Sequence, residues 1–343
     1  MWWISARDMQ WRRRRFAIAV VGAGMVFALA LLISGISSGF RVEARRTVDA
    51  IGGDGWVMRA GTAGPITSIA TVPSGAADVL DRTPGVAGAD PIVVVRSAVR
   101  GEQVLLVGHT PSGLGSPPVD RGRASVRRGE AVVDRRLGAD IGDRISVGGT
   151  PAEVVGLVRG VTVQAGVPAV FVTIADARDI AFDGRELATA VLVEGRPDAL
   201  PRGTHLLSPA DVRDDALSPL RDAIEAIDIM RVLLWVVAAV IIGSIVYLSA
   251  LERVRDFAVL KALGASSGSL ITGLAIQSIL VSVLAAVLSS GLTQLLLPVF
   301  PLPVEVSTTA LLLLPAIAVA VGLVASLAGA RRAIVADPSA AFS

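Results

Sequence analysis

Apolar residues in this chain gather into long unbroken runs toward both ends and into short runs through the middle, and the contrast predicts two kinds of element. Phe16 to Gly39, Val232 to Ala250, Leu270 to Leu297 and Leu311 to Ala330 are each long enough to cross a bilayer, which takes roughly 20 residues at about 1.5 Å rise per residue. Backbone in hydrocarbon must satisfy its own hydrogen bonds, so these runs are predicted as helices, one followed by three, at 16–39, 229–250, 269–297 and 310–330. Residues 40–228 read differently. Strand-like runs at Pro91 to Ala98, Gln103 to Gly108, Val167 to Thr173 and Thr189 to Val193 are split by Gly and Pro, with helical pieces at Val79 to Thr83 and Ala175 to Ile180. Arg144 to Val147, Gly148-Gly149 and Glu153 to Val158 predict a hairpin, because paired glycines supply the positive φ of a tight turn. The segment is therefore expected to be an α+β domain inserted between the first and second spans of a four-helix membrane protein. Leu217, Leu220, Ile224 and Ile227 share one helix face, so a stalk helix from about residue 212 should run straight into the span at Val232.

Composition agrees with a bilayer-embedded chain. Of 343 residues, 52% are hydrophobic and 18% charged, and the mean hydropathy is +0.65, too apolar for a soluble globule of this size. The net charge of +2 comes almost wholly from arginine, Lys261 being the one lysine. No stretch of alternating basic and aromatic residues suggests nucleic acid as a partner. With no cysteine, disulfides and zinc-thiolate sites are excluded.

Short basic segments fix the expected orientation. Arg7 and Arg12 to Arg15, then Arg253, Arg255 and Lys261, then Arg331 and Arg332 lie on connections that belong in the cytoplasm, while the short connection 298–309 carries Glu305 and no Lys or Arg. Both termini are thus expected inside and 40–228 outside. Residues 1–15, with Trp2, Trp3 and Trp11 among polar groups, read as an interfacial helix, and 331–343 as a cytoplasmic tail. A cleaved leader ending near Ala28-Leu29-Ala30 competes for the first span, but apolar residues continue through Leu31, Leu32 and Ile33 to signal-anchor length.

Between the second and third spans lies a charged amphipathic elbow, 251–268, beginning LERVRDFAVLKALGA. Val254, Phe257, Leu260 and Leu263 make an apolar stripe at helical spacing, Gly264 stands where a helix would stop, and charges of both signs precede the stripe. A juxtamembrane helix on anionic lipid would account for the cations, whereas mixed charges around an apolar stripe suit a protein groove better. The candidate interface is Glu252, Arg253, Arg255, Asp256, Phe257, Leu260, Lys261, Leu263, Gly264 and Ala265.

Catalytic signatures are weak. No Gly-x-x-x-x-Gly-Lys-Ser/Thr is present, so any ATP energy must come from a partner. Gly35-Ile36-Ser37-Ser38-Gly39 matches a hydrolase nucleophile pattern but falls at the end of a span instead of on a strand-to-helix turn. His109 and His205 read as loop residues, and Asp214 with Asp215, like Asp140 with Asp143, as solvated faces. Arg231 at the entry of the second span can snorkel to the interface. Ala239 with Gly243, Gly322 with Ser326 and Ala325 with Gly329 permit close helix approach, and Gln277 and Gln294 are the most polar groups within the spans.

LERVRDFAVLKALGAS, at 251–266, resembles the signature between the second and third spans of the FtsX-like permeases of ABC transporters, the group that includes MacB-type exporters. The tail ARRAIVADPSAAF is similar to that family's ending, and Gly122 to Val158 resembles its extracytoplasmic domain. The resemblance implies a type VII ABC transporter membrane subunit in a bacterial plasma membrane, paired with a second copy and with two cytoplasmic ATPase subunits that hold ATP and Mg. The chain itself would bind no cofactor or metal and catalyse nothing. The elbow would be the coupling helix, and the activity export or extraction of an amphiphilic substrate. Regulation of an extracytoplasmic partner such as a cell-wall hydrolase is the alternative, and a serine hydrolase built on Ser37 the least supported.

Overall fold

The computed structural model describes residues 13–252, 259, 264, 266–297, 304–305, 314, 316–324 and 326. The chain divides into two compact units, one of Met1–Ser38 with Ala223–Ser343, the other Gly39–Asp222.

The first unit is helical. It draws on α1 (Arg13–Ile51), α5 (Arg221–Glu252) and α6 (Ser267–Leu296), with further helical residues at 316–324. Among the described residues three helical stretches are long and apolar enough to cross a membrane: Phe16–Ile51, Pro209–Glu252 and Ile271–Leu296. Of the fourth expected span, 310–330, residues 314, 316–324 and 326 are described, and all are helical. Phe16, Ala19, Ala23, Phe27 and Leu31 of α1 and Ala238, Ile242, Val246 and Ala250 of α5 fall at three- and four-residue intervals, and both rows are buried in one cluster with Leu274, Val281 and Ala285 of α6. The opposite faces stay apolar. Ile18, Met25, Val236, Val240, Val287 and Leu295 are all exposed, as expected of helices solvated by lipid. Hydroxyls in α6 bond back into their own helix, Ser278 Oγ to Leu274 O and Ser282 Oγ to Ser278 O, each at 2.9 Å, which removes unpaired donors from hydrocarbon. Gly322 lies close against α6: a Cβ there would meet Ser282 Oγ at 2.9 Å and the Ile279 backbone at 3.0 Å. Its small size thus serves packing within the chain.

The second unit is a mixed sheet covered on both faces. Its strands are β1 (Gly55–Arg59), β2 (Val72–Pro73), β3 (Val86–Val99), β4 (Glu102–His109), β5 (Arg121–Gly122), β6 (Glu130–Asp134), β7 (Arg144–Val147), β8 (Thr150–Val158), β9 (Thr162–Val163), β10 (Val167–Thr173), β11 (Leu187–Ala188), β12 (Ala190–Gly195) and β13 (Thr204–Leu207). Helices α2 (Ala76–Asp81), α3 (Ile174–Phe182) and α4 (Pro209–Leu217) complete it. The main path runs β13-β1-β12-β3-β4-β10-β6-β8-β5, with β7 bridging β3 and β8, β9 on β10, and β2 paired with β11 apart. The β4–β10 and β6–β8 pairs are parallel and the others antiparallel. Along β3, Ile92 and Val94 enter one core with Trp56, Leu105 and Phe171, while Val93 and Val95 enter the other with Leu106, Val170 and Ala177. Burial on both faces explains why Pro91 to Val95 is an apolar run and not an alternation.

The expected hairpin is β7–β8, with Val147 opposite Thr150 and Gly148 and Gly149 at φ 55° and 90°. Three expectations need correction. Helix α1 does not stop at Gly39 but runs to Ile51, because Phe40, Ala44, Val48 and Ile51 keep one buried face while Arg41 and Arg45 take the exposed one. The stalk is not uniform: Ser218–Leu220 forms a 3-10 turn around Pro219, which has no N–H to donate, and α5 begins after it at Arg221. His109 and His205 lie in β4 and β13 instead of in loops.

Candidate functional site

The elbow connects two apolar helices, and only its two ends can be drawn. Glu252 closes α5 and is exposed. Ser266 caps α6, its Oγ accepting from the Ser269 N–H at 3.2 Å, so the second helix starts on a defined residue. Gly264 is exposed at φ 95°, a left-handed backbone that favours glycine. Arg253, Arg255, Asp256, Phe257, Leu260, Lys261, Leu263 and Ala265 lie outside the described residues.

Within the second unit, the last turns of α1 and helix α4 are held to neighbouring loops by buried carboxylates. On the last turns of α1, Glu43 is 5% exposed. It accepts from Thr162 Oγ1 at 2.5 Å and from the Ala165 N–H at 3.1 Å. One turn on, Thr47 Oγ1 donates to the Thr162 carbonyl at 2.6 Å. The receiving loop is shaped for this contact, with Gln164 and Ala165 both at positive φ, 51° and 72°. On α4, Asp215 is 4% exposed. It accepts from the Ile66 N–H at 2.9 Å, the Thr67 N–H at 3.2 Å and the Thr67 hydroxyl. Gly64 lies beneath it, where a Cβ would overlap the carboxyl. Arg213 of α4 pairs with Asp49 of α1 at 2.7 Å, on the exposed side of the same region. Asp215 is therefore not on the solvated face expected of it; Asp214, its neighbour, is. Neither Glu43 nor Asp215 carries a sequence signal for this role beyond its place on an otherwise buried helix face.

Both regions of the chain match family models. The FtsX-like permease C-terminal model matches residues 229–338, and the MacB-like periplasmic core domain model matches residues 16–202. ABC transporter permeases of Mycobacterium bovis and Mycobacterium tuberculosis are 42% identical over 100% of this chain and 99% of their own length. A second Mycobacterium tuberculosis ABC transporter permease is 39% identical over the same shares. The chain belongs to the FtsX-like ABC transporter permease family. Among solved structures, the extracellular domain of the noncanonic ABC-type transporter YknZ aligns at TM-score 0.34 and 13% identity, covering 45% of this chain and 98% of that one. The periplasmic region of MacB from Actinobacillus actinomycetemcomitans aligns at 0.35 and 11%, covering 49% and 94%.

Several further polar groups of the permease serve its fold. His109 is fully buried, with Nε2 2.9 Å from Ser125 Oγ and Nδ1 3.1 Å from the Thr110 carbonyl oxygen. Burial holds its pKa below the usual imidazole value, which keeps the ring neutral. Arg123 grips Glu130 through both guanidinium nitrogens at 2.6 and 2.7 Å, and with the Val126 and Arg127 N–H groups it lowers the Glu130 pKa to about 2. Asp211 is also lowered, chiefly by the Ser208 hydroxyl of its capping box. Ser37 is buried inside the unbroken helix α1, so its Gly-x-Ser-x-Gly pattern lacks the strand-to-helix turn a nucleophile needs. Among the described residues no cluster of His, Cys, Asp and Glu could hold a metal.

Proposed function

We propose that this permease is the membrane subunit through which a separate cytoplasmic ATPase moves the outer domain to export or extract an amphiphilic substrate. Two copies would pair in the plasma membrane, each presenting the 251–268 elbow to one ATPase subunit holding ATP and Mg, with both termini on the same cytoplasmic side. The observation that carries the reading is the elbow itself, an amphipathic, mixed-charge segment placed between two spanning helices inside the matched permease region. Without a nucleotide-binding loop of its own, the chain depends on that contact for energy. For ATP to drive movement, the elbow must be held differently in the ATP-bound and ATP-free states of the partner, since equal affinity shifts nothing. Glu43 and Asp215 supply what the outward leg needs, stiff attachment of helix segments to the sheet.

Affinity purification of the full-length permease from its native membrane tests the reading. The wild type should retain an ABC ATPase, and Phe257→Asp should lose it while the outer domain keeps native protease resistance. Retention of the ATPase by the variant, with substrate transport unchanged, would remove the elbow from the mechanism.

A further inference from the structure

A cavity of about 230 Å³ opens among the membrane helices, walled by Phe27, Ala30 and Leu31 of α1 and Trp235 of α5. Its polar lining residues are Ser34 and Arg231. An apolar cavity of roughly 150 Å³ already admits benzene while staying dry, so this one has room for part of a hydrocarbon chain. Arg231 gives it one charged end. The guanidinium lies 5.6 Å from the centre of the Trp235 ring, its Nη2 is 3.2 Å from Asp228 Oδ1, and its Nη1 reaches Ser34 Oγ at 3.5 Å. Its Nε is buried and has no hydrogen-bond partner among the described residues. Nη2 already meets Asp228, whereas a buried N–H of a cation left without an acceptor is costly, and an oxyanion is the acceptor that best relieves it.

We propose that this cavity binds an anionic lipid from the surrounding bilayer, its acyl chain against Phe27, Ala30 and Trp235 and its acidic head group accepting from Arg231. A soluble anion would leave the apolar wall unfilled, and a zwitterionic lipid would bring its own cation toward the guanidinium. The site works against acids already present. Asp228 pairs with the guanidinium and is 40% exposed, and Glu305 lies near Ser34 in the chain fold, its N–H bonded to the Gly35 carbonyl at 3.0 Å. Removing the Asp228 charge should therefore tighten lipid binding. The proposal narrows the amphiphile of the proposed function to an anionic one and to that extent rests on it. Its test needs neither nucleotide nor ATPase, so loss of coupling leaves it standing and its failure leaves coupling standing.

Trp235 is a built-in reporter. In full-length protein carrying W2F, W3F and W11F, the other remaining tryptophan is Trp56, which is fully buried in the outer sheet domain. Titrating brominated phosphatidylglycerol or brominated phosphatidylcholine into the protein in neutral detergent should quench Trp235 saturably. The anionic lipid should act at about five- to tenfold lower concentration. Arg231→Gln should bring the two lipids within about twofold of each other, Arg231→Lys should keep most of the preference, and Asp228→Asn should enlarge it. Ala30→Leu should abolish saturable quenching by both. Competition in the unsubstituted cavity gives an arm that needs no substitution there: unlabelled phosphatidylglycerol should displace the quencher and unlabelled phosphatidylcholine should not. Equal quenching by the two lipids, a preference that survives Arg231→Gln, or displacement by both lipids alike would overturn the proposal.

Discussion

Replacing Asp215 by alanine should loosen α4 from the loop it holds, and the cost can be worked from the bonds removed. The carboxylate serves the Ile66 and Thr67 N–H groups and the Thr67 hydroxyl at a position 4% exposed. Each buried group left without a partner costs about 1–3 kcal/mol, less where water enters the space vacated. Allowing for one or two waters, the total is roughly 3 kcal/mol. Asparagine keeps one acceptor oxygen and lets the Thr67 hydroxyl reverse its role, so Asp215→Asn should cost about half as much. Gly64→Ala should approach the alanine cost by another route, because the new Cβ would displace the carboxyl. The assay is urea unfolding of the full chain in detergent, followed by Trp56, which is buried in the core that also holds Val212 and Ala216 of α4. With a urea dependence of about 2 kcal/mol per molar, the midpoint should fall by roughly 1.5 M for Asp215→Ala. A fall below about 0.4 M, or an asparagine variant as weak as the alanine one, would refute the claim that this carboxylate anchors the helix.

Glu130 predicts an acid limb. Its folded pKa of about 2 lies below the unfolded value of 4.5, so its pairing with Arg123 contributes fully above pH 4.5 and is lost as pH falls toward 2. Glu130→Gln should flatten that part of the stability profile in urea titrations between these pH values, and an unaltered slope would contradict the pairing. Gly322→Leu should lower the melting temperature of the detergent-solubilised protein, costing about 1–3 kcal/mol by overpacking against Ile279 and Ser282. A neutral result would mean that Gly322 does not pack against Ile279 and Ser282 of α6. Ser37→Ala should leave substrate transport unchanged, since Ser37 is buried in a helix; complete loss of activity in a folded variant would revive the hydrolase reading.

What could be read from the sequence was what local chemistry determines. The β7–β8 turn was legible because Gly148-Gly149 supplies both positive φ values, and β10 because Val167–Thr173 is a bounded β-branched run. The extension of α1 past Gly39 was hidden by Arg41, Glu43, Arg45 and Arg46, whose charges broke the apolar run although Phe40, Ala44, Val48 and Ile51 kept helical spacing. Edge strands such as β13 escaped notice because Thr204–Leu207 is only half buried and pairs with residues far earlier in the chain. The roles of Glu43 and Asp215 could not be read at all. Their partners, Ala165 and Ile66 with Thr67, are backbone groups more than a hundred residues away, brought near only by the sheet. The elbow was the reverse case, a local motif readable without any contact.

The central claim is that a push on the elbow arrives in the outer domain. The chain contains no cysteine, so Ile69→Cys, at a position 80% exposed, introduces a unique label site. Spin-label distances between the two copies should be measured in the reconstituted permease with its ATPase, with and without trapped ATP. The account predicts distinct distance distributions for the two states and their collapse to one in Phe257→Asp. Identical distributions with and without ATP in the wild-type complex would contradict it.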